Sequence, residues 1–135
     1  YSTGFCQYEC TVCTNVCPTE AINPLNEDEK KKLQIGTSKL RKDICVVFSE
    51  ESDCGACAEH CPTEAVKMVP YKGFLMKPVT DNDICVGCGA CEYACPTEPL
   101  KAIIVEASPE QKIIEGEICP VEEREKTEGD EDFPF

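Results

Sequence analysis

Residues 85–96 read CVGCGACEYACP, which sets Cys85, Cys88, Cys91 and Cys95 at C-x2-C-x2-C-x3-C spacing with Pro96 closing the run. Two related runs stand upstream. Cys45, Cys54, Cys57 and Cys61 form C-x8-C-x2-C-x3-C before Pro62, and Cys6, Cys10, Cys13 and Cys17 form C-x3-C-x2-C-x3-C before Pro18. Each run ends in the tetrapeptide Cys-Pro-Thr-Glu, at 17–20, 61–64 and 95–98. Asp43-Ile44-Cys45 matches Asp83-Ile84-Cys85, so the second and third runs align at both ends. This internal repeat organises the chain into units over about residues 4–26, 42–70 and 82–108.

Thirteen cysteines in 135 residues suit one of three chemistries. A disulfide scaffold fits badly, because the count is odd and neighbours in a C-x2-C are poorly placed to pair. Structural zinc takes two ligands from each of two C-x2-C knuckles. Three cysteines in register followed by a fourth before proline is the pattern that holds a [4Fe–4S] cluster on thiolates. A non-redox zinc or structural module is the remaining alternative.

Composition points the same way. The chain is 41% apolar, but cysteine is counted in that figure, and there are no Trp, five Phe and four Tyr. So few large apolar groups offset conformational entropy poorly. Cluster binding would then be part of the folding free energy. The net charge is −13, which excludes nucleic acid as a natural partner. A basic face on another redox protein is the expected partner, with simple solubility as the competing reading of the charge. No apolar stretch is long enough to span a bilayer and no signal peptide is visible. The chain opens Tyr1-Ser2-Thr3-Gly4 without an initiator Met, which suggests a fragment or a processed chain.

Over roughly residues 40–108 the sequence resembles the two-cluster bacterial ferredoxin domain. In that family the first three cysteines of a run hold one cluster, and the cysteine before proline crosses to the other. The resemblance implies one cluster on Cys85, Cys88, Cys91 and Cys61, and a second on Cys45, Cys54, Cys57 and Cys95. It implies an α+β fold of pseudo-twofold βαββαβ type, low in regular secondary structure, with an additional N-terminal Cys-rich unit. The second run departs from the pattern, because its usual first position is Glu51. Either Cys45 folds back across the longer loop or the site lacks a thiolate; the Asp-Ile-Cys match selects Cys45. In the first run Cys6, Cys10 and Cys13 suggest a third cluster, whose fourth ligand is left open between Cys17 and Cys119, the last preceding Pro120. The order of a compact run, an extended run and a regular run is also similar to the C-terminal part of ferredoxin-type proteins associated with quinol oxidation and periplasmic nitrate reductase.

The expected divisions are 1–41 for the N-terminal unit and an insertion, 42–108 for the two-cluster domain, 109–121 for a C-terminal strand with Cys119-Pro120, and 122–135 for an acidic, disordered tail. Each Cys-Pro reads as the start of a short helix. Asn26 is expected to cap a helix over 27–33 that Gly36 ends. Strands are expected at 66–69 and 74–76 around the turn-rich Pro70–Gly73, and at 102–105, with 112–114 returning antiparallel across Ser108–Gln111. Gly55, Gly87 and Gly89 are read as letting N–H groups approach sulfur. Tyr8 and Tyr93 are read as cover over the clusters, and His60 as a surface or packing residue.

These readings converge on a non-enzymatic electron carrier with at least two [4Fe–4S] clusters and an expected third. It would be a polyferredoxin segment within or feeding a larger oxidoreductase, with redox protein partners and a membrane quinone-linked complex among them. An independent soluble carrier is the alternative. A cytoplasmic setting is favoured, with a periplasmic or membrane-attached one open through an upstream segment.

Overall fold

The sequence Asn26-Glu-Asp-Glu-Lys-Lys-Lys32 carries its own start and stop signals. In the computed structural model, which describes residues 3–115, it forms a helix over Glu27–Lys32. The Asn26 side chain accepts from the Glu29 N–H at 2.8 Å, and the Glu29 carboxylate accepts from the Asn26 N–H at 3.1 Å. This reciprocal capping box satisfies two otherwise orphaned donors. Acids fill the first turn and lysines the last, as the helix dipole favours. Gly36 does not end the helix, contrary to expectation. The chain turns extended at Leu33, and residues 33–40 form a strand.

The element order is α1 (Val12–Val16), α2 (Glu27–Lys32), β1 (Leu33–Leu40), α3 (Val46–Ser49), α4 (Ala56–Glu59), β2 (Val66–Pro70), β3 (Met76–Thr80), α5 (Ala90–Ala94) and β4 (Ile103–Ile113). The fold is a small α+β arrangement with two two-stranded antiparallel sheets, β1–β4 and β2–β3.

Residues 112–114 do not fold back on 102–105. One strand, β4, runs through both segments and pairs with β1, from Leu33↔Ile113 to Leu40↔Ile103. The turn-like residues Ser108–Gln111 appear as an irregularity in that ladder, where the register jumps between Gln34 and Gly36. Pro109, which has no N–H to donate, is tolerated at such a bulge. The second hairpin matches expectation more closely. Val66 pairs with Thr80 and Pro70 with Met76. Its second strand starts at Met76, and Phe74 lies in the connecting loop. There Tyr71 donates to the Leu75 carbonyl and Leu75 to that of Lys72, both at 2.9 Å.

The Cys-Pro pairs do not begin helices. The short helices α1, α4 and α5 precede them; Cys17 and Cys95 are C-caps, and Cys61 follows the C-cap His60. The first two tetrapeptides are turns, in which the Glu N–H returns to the Cys carbonyl at 3.3 Å. Glu20 and Glu64 then adopt left-handed φ of 52° and 54°, which stops helical propagation. Proline fits the second position of such a turn as well as it fits a helix start.

The core is small. Ile103, Val47 and Ser38 are its largest fully buried side chains. One cluster joins Val47, Val66, Ala102 and Ile103 to Cys45, Cys57, Cys91 and Cys95. A second joins Val86, Cys88, Ala90 and Ile114, with Cys6 and Tyr8 packed against it. No helix among the described residues is long and apolar enough to cross a membrane. Cys119 and the 122–135 tail lie outside the described residues.

β1 meets the third cysteine run through two glycines. Ile35 donates to the Val86 carbonyl at 3.0 Å. Gly87, at φ +75°, lies so close that an added Cβ would stand 2.6 Å from the Gly36 Cα and carbonyl oxygen. Gly87→Ala combines a left-handed conformation with a backbone clash, and should cost at least about 2 kcal/mol. Thermal unfolding of the purified holoprotein should show a drop of about 8 °C; an unchanged midpoint would contradict this packing.

Candidate metal centres

Cys45 precedes α3, and Cys54 and Cys57 flank the start of α4, whose N-cap is Gly55. The loop 50–54 folds back and brings all three together. Cys95, from the third run, joins them. These four cysteines line one small cavity, walled by Leu40, Val46, Pro78, Pro96, Ala102 and Ile103, with Thr97 beside them. Its lining is four sulfurs and mostly apolar side chains.

The electrostatics report the same neighbourhood. Burial pushes the Cys57 thiol up to about 11, and the nearby Cys54, Cys45 and Cys95 push it in the same direction. Burial also raises Cys45, against the N–H groups of Val47 and Phe48, which favour its thiolate. Cys95 is different. Burial raises it, but the Thr97 hydroxyl and the N–H groups of Thr97, Ala102 and Ile103 outweigh that and hold it below the ordinary range.

A second group forms around α5. Burial pushes Cys91 up to about 12, helped by Cys88, Cys85 and Cys61. Burial raises Cys88 too, with Cys61, Cys85 and Cys6 as charged neighbours and the Ala90 N–H opposing them. Cys61, from the second run, therefore sits with the first three cysteines of the third. Cys85 is buried against Ser38 of β1, sulfur to hydroxyl at 3.8 Å.

The first run docks on this second group. Cys6 donates its N–H to the Cys88 carbonyl at 2.8 Å. The Phe5 and Tyr93 rings meet at 5.3 Å. Tyr8 packs on the core of Val86, Cys88, Ala90 and Ile114; burial raises its phenol, while Lys31 draws it down. Tyr93 stays half-exposed. Cys10 and Cys17 are partly buried and Cys13, in α1, is exposed. Cys17 contacts its own Thr19, whose hydroxyl, with the N–H groups of Ile22 and Thr19, holds the thiol down to about 7.

One feature escaped the sequence reading. The threonine of each Cys-Pro-Thr-Glu places its hydroxyl at the cysteine sulfur, at 3.6 Å for Thr19, 3.8 Å for Thr63 and 3.1 Å for Thr97. Its threefold repetition was the available signal. Thr97 also accepts from the Ala102 N–H at 2.8 Å. Glu51, the conventional first position of the second run, has left-handed φ and pairs with Lys72 at 2.6 Å. His60 bonds the Ala56 carbonyl at 2.9 Å and is exposed. Gly89 is the left-handed N-cap of α5, whereas Gly87 serves the packing against Gly36.

The donor set suits a polynuclear centre. All twelve described cysteines are free thiols. Among the described residues no three His, Cys, Asp or Glu gather tightly enough around a point to hold a single ion. A cubane requires something else, namely one thiolate on each of four irons spread around a space. Four cysteines from two runs, lining one largely apolar cavity, are the kind of donor set such a centre takes.

The sequence profile of the 4Fe-4S dicluster domain matches the chain twice, over residues 5–65 and again over 52–98. The first match takes in the first two cysteine runs, and the second takes in most of the second run and all of the third. No curated protein matches the chain closely enough to count as a relative.

Two predictions follow from this geometry. Thiols raised to about 11 and 12 are protonated near neutral pH, so iron must displace those protons to bind. Anaerobic reconstitution should therefore load iron faster as pH rises from about 6.5 to 8.5, with measurable proton release, and a pH-independent rate would contradict it. Thr97→Val removes a donor to sulfur and leaves the Ala102 N–H unpaired. It should destabilise the protein by about 1–3 kcal/mol and move one cluster's potential to more negative values in a redox titration.

Proposed function

The chain belongs to the 4Fe-4S dicluster domain family, and on that premise we propose how its cysteines divide among the clusters and where the electrons pass. Membership brings an iron–sulfur electron-transfer role and at least two [4Fe–4S] clusters. When bound, each cluster supplies a one-electron couple.

We assign Cys45, Cys54, Cys57 and Cys95 to one cluster, and Cys61, Cys85, Cys88 and Cys91 to its neighbour. The observation that carries this is the lining of the first cavity, where Cys95 stands beside three cysteines of a different run. The exchange has a mechanical consequence. Clusters held in this way would each be bonded to both runs, which would keep the two centres close together. The order β1, α3, α4, β2, then β3, α5, β4, in which α3 lies within the longer gap of the second run, supports reading the domain as two halves related by a pseudo-twofold, each cysteine run opened by Asp-Ile-Cys.

The chain's own groups do three things. Thiolates bind iron. Thr97, Thr63 and backbone N–H groups donate to sulfur and so adjust potential. Apolar walls such as Leu40, Val46 and Ile103 keep water from the first centre.

We assign a third cluster to Cys6, Cys10 and Cys13. The run's spacing supports it, as does the family match over 5–65. The Cys6–Cys88 hydrogen bond sets this run beside the second group. The fourth thiolate comes from Cys17 or Cys119, and Cys17→Ser and Cys119→Ser tell them apart by which variant loses the third cluster's iron. Three centres in series act as a polyferredoxin segment, passing single electrons within or to a larger oxidoreductase, with no bond chemistry of its own. Free thiols in such number suit a reducing compartment, and we favour the cytoplasm.

Paired substitutions test the exchange. Cys54→Ala with Cys95→Ala should cost about four irons per chain, because both residues serve one cubane, whereas Cys91→Ala with Cys95→Ala should cost about eight. Runs that each kept their own cluster would give the reverse.

A further inference from the structure

The chain carries 26 acidic residues against 13 basic ones, but the β2–β3 hairpin breaks the pattern. From Ala65 to Thr80 it holds Lys67, Lys72 and Lys77 and no acid. Lys72 and Lys77 each place their ammonium 5.4 Å from the centre of the Tyr71 ring. Glu51 meets Lys72 in an ion pair whose two ends are both exposed, a contact that competing charges displace readily. At the tip, beside Gly73 at φ +56°, Phe74 is fully exposed. One exposed apolar residue is ordinary. An aromatic ring among cations is a different signal, because aromatic residues are enriched in interface cores while a polar rim surrounds them.

The hairpin also lies against the first cavity. Pro78 of β3 is part of the wall that Cys45, Cys54, Cys57 and Cys95 share. The Tyr71 ring tilts against Phe48 at 5.1 Å. Both rings pack on the core cluster that contains Cys45, Cys57 and Cys95. The first run, by contrast, sits at Cys88 of the second group. Basic charge, an exposed aromatic and the first centre thus coincide in one small region.

We propose that the hairpin tip, through Lys72, Phe74 and Lys77, is the docking surface for the acidic face of a redox protein that exchanges electrons with the cluster of the first cavity. The proposal rests on the ligand assignment above. It reverses the polarity expected from net charge alone, since here the chain supplies the basic side. An acidic partner is repelled by most of a −13 chain and is admitted at this patch, which sets its orientation. One electron leaves the reduced cluster and the partner's oxidised redox centre gains it, and no bond is made or broken in the chain. An anionic membrane would also attract the lysines, but it would set a plane of negative charge against an acidic protein and offers no redox centre.

The test uses holoprotein whose iron content has been verified, reduced and mixed in a stopped-flow instrument with an oxidised acidic flavodoxin as probe. Lys72→Glu with Lys77→Glu should slow the second-order rate by about tenfold or more, and Phe74→Ala by several-fold, while Lys112→Glu on β4 stays within about twofold of the parent. Hairpin variants that behave like Lys112→Glu overturn the proposal. So does Phe74-dependent co-sedimentation of the parent with phosphatidylglycerol vesicles, which would assign the tip to a membrane. Fully loaded protein with indifferent kinetics defeats the docking surface alone. A chain that binds no iron defeats the ligand assignment beneath it.

Discussion

Convergence of sulfur atoms from separate cysteine runs is the constraint on which the rest of this structure depends. Cys95 stands with Cys45, Cys54 and Cys57, and Cys61 stands with Cys85, Cys88 and Cys91. Neither group forms unless both halves of the domain are in place. The apolar core is too slight to enforce this alone, with Ile103 and Val47 as its only fully buried large aliphatic side chains among the described residues. The cofactor is therefore part of the core rather than a guest in it.

Burial and hydrogen bonding pull the thiols in opposite directions, and the balance differs from site to site. Cys57 and Cys91 are governed by burial and are pushed to about 11 and 12. Cys95 receives a hydroxyl and three N–H groups and falls below its ordinary value. The Cys-Pro-Thr-Glu segment is the local device behind this difference. It places the threonine hydroxyl at the sulfur, while its proline has no N–H to compete. The same tetrapeptide recurs at Cys17, where hydrogen bonds hold the thiol to about 7.

Spacing made much of this legible. The C-x2-C-x2-C-x3-C-P run pointed to the iron–sulfur chemistry that the family match supports, the Asp-Ile-Cys match favoured Cys45, which lines the first cavity with Cys54 and Cys57, and Asn26 marked the start of α2. What remained hidden depended on distant partners. The strand Leu33–Leu40 reads LQIGTSKL, with weak alternation and a central glycine, and it becomes a strand because β4 lies alongside. Gly36 looked like a helix stop because its actual role, close approach to Glu106 and Gly87, involves residues 51 or more positions away. The Cys-Pro helices were misplaced because proline suits the second position of a turn as well as the first turn of a helix. The threonines were overlooked because their threefold repetition does not by itself say that the hydroxyl reaches the cysteine sulfur.

The first run adjoins the second group, and the lysine-bearing hairpin adjoins the first cavity. The central claim is the proposal that the chain's cysteines hold cubanes, two of which share their runs. Anaerobic iron and acid-labile sulfide analysis, joined to electron paramagnetic resonance of the fully reduced protein, tests it most directly. The account predicts at least about eight irons with matching sulfide, and a spectrum broadened by spin coupling between neighbouring clusters. A folded, colourless, zinc-loaded protein, or one whose cysteines are joined in disulfides, would contradict it.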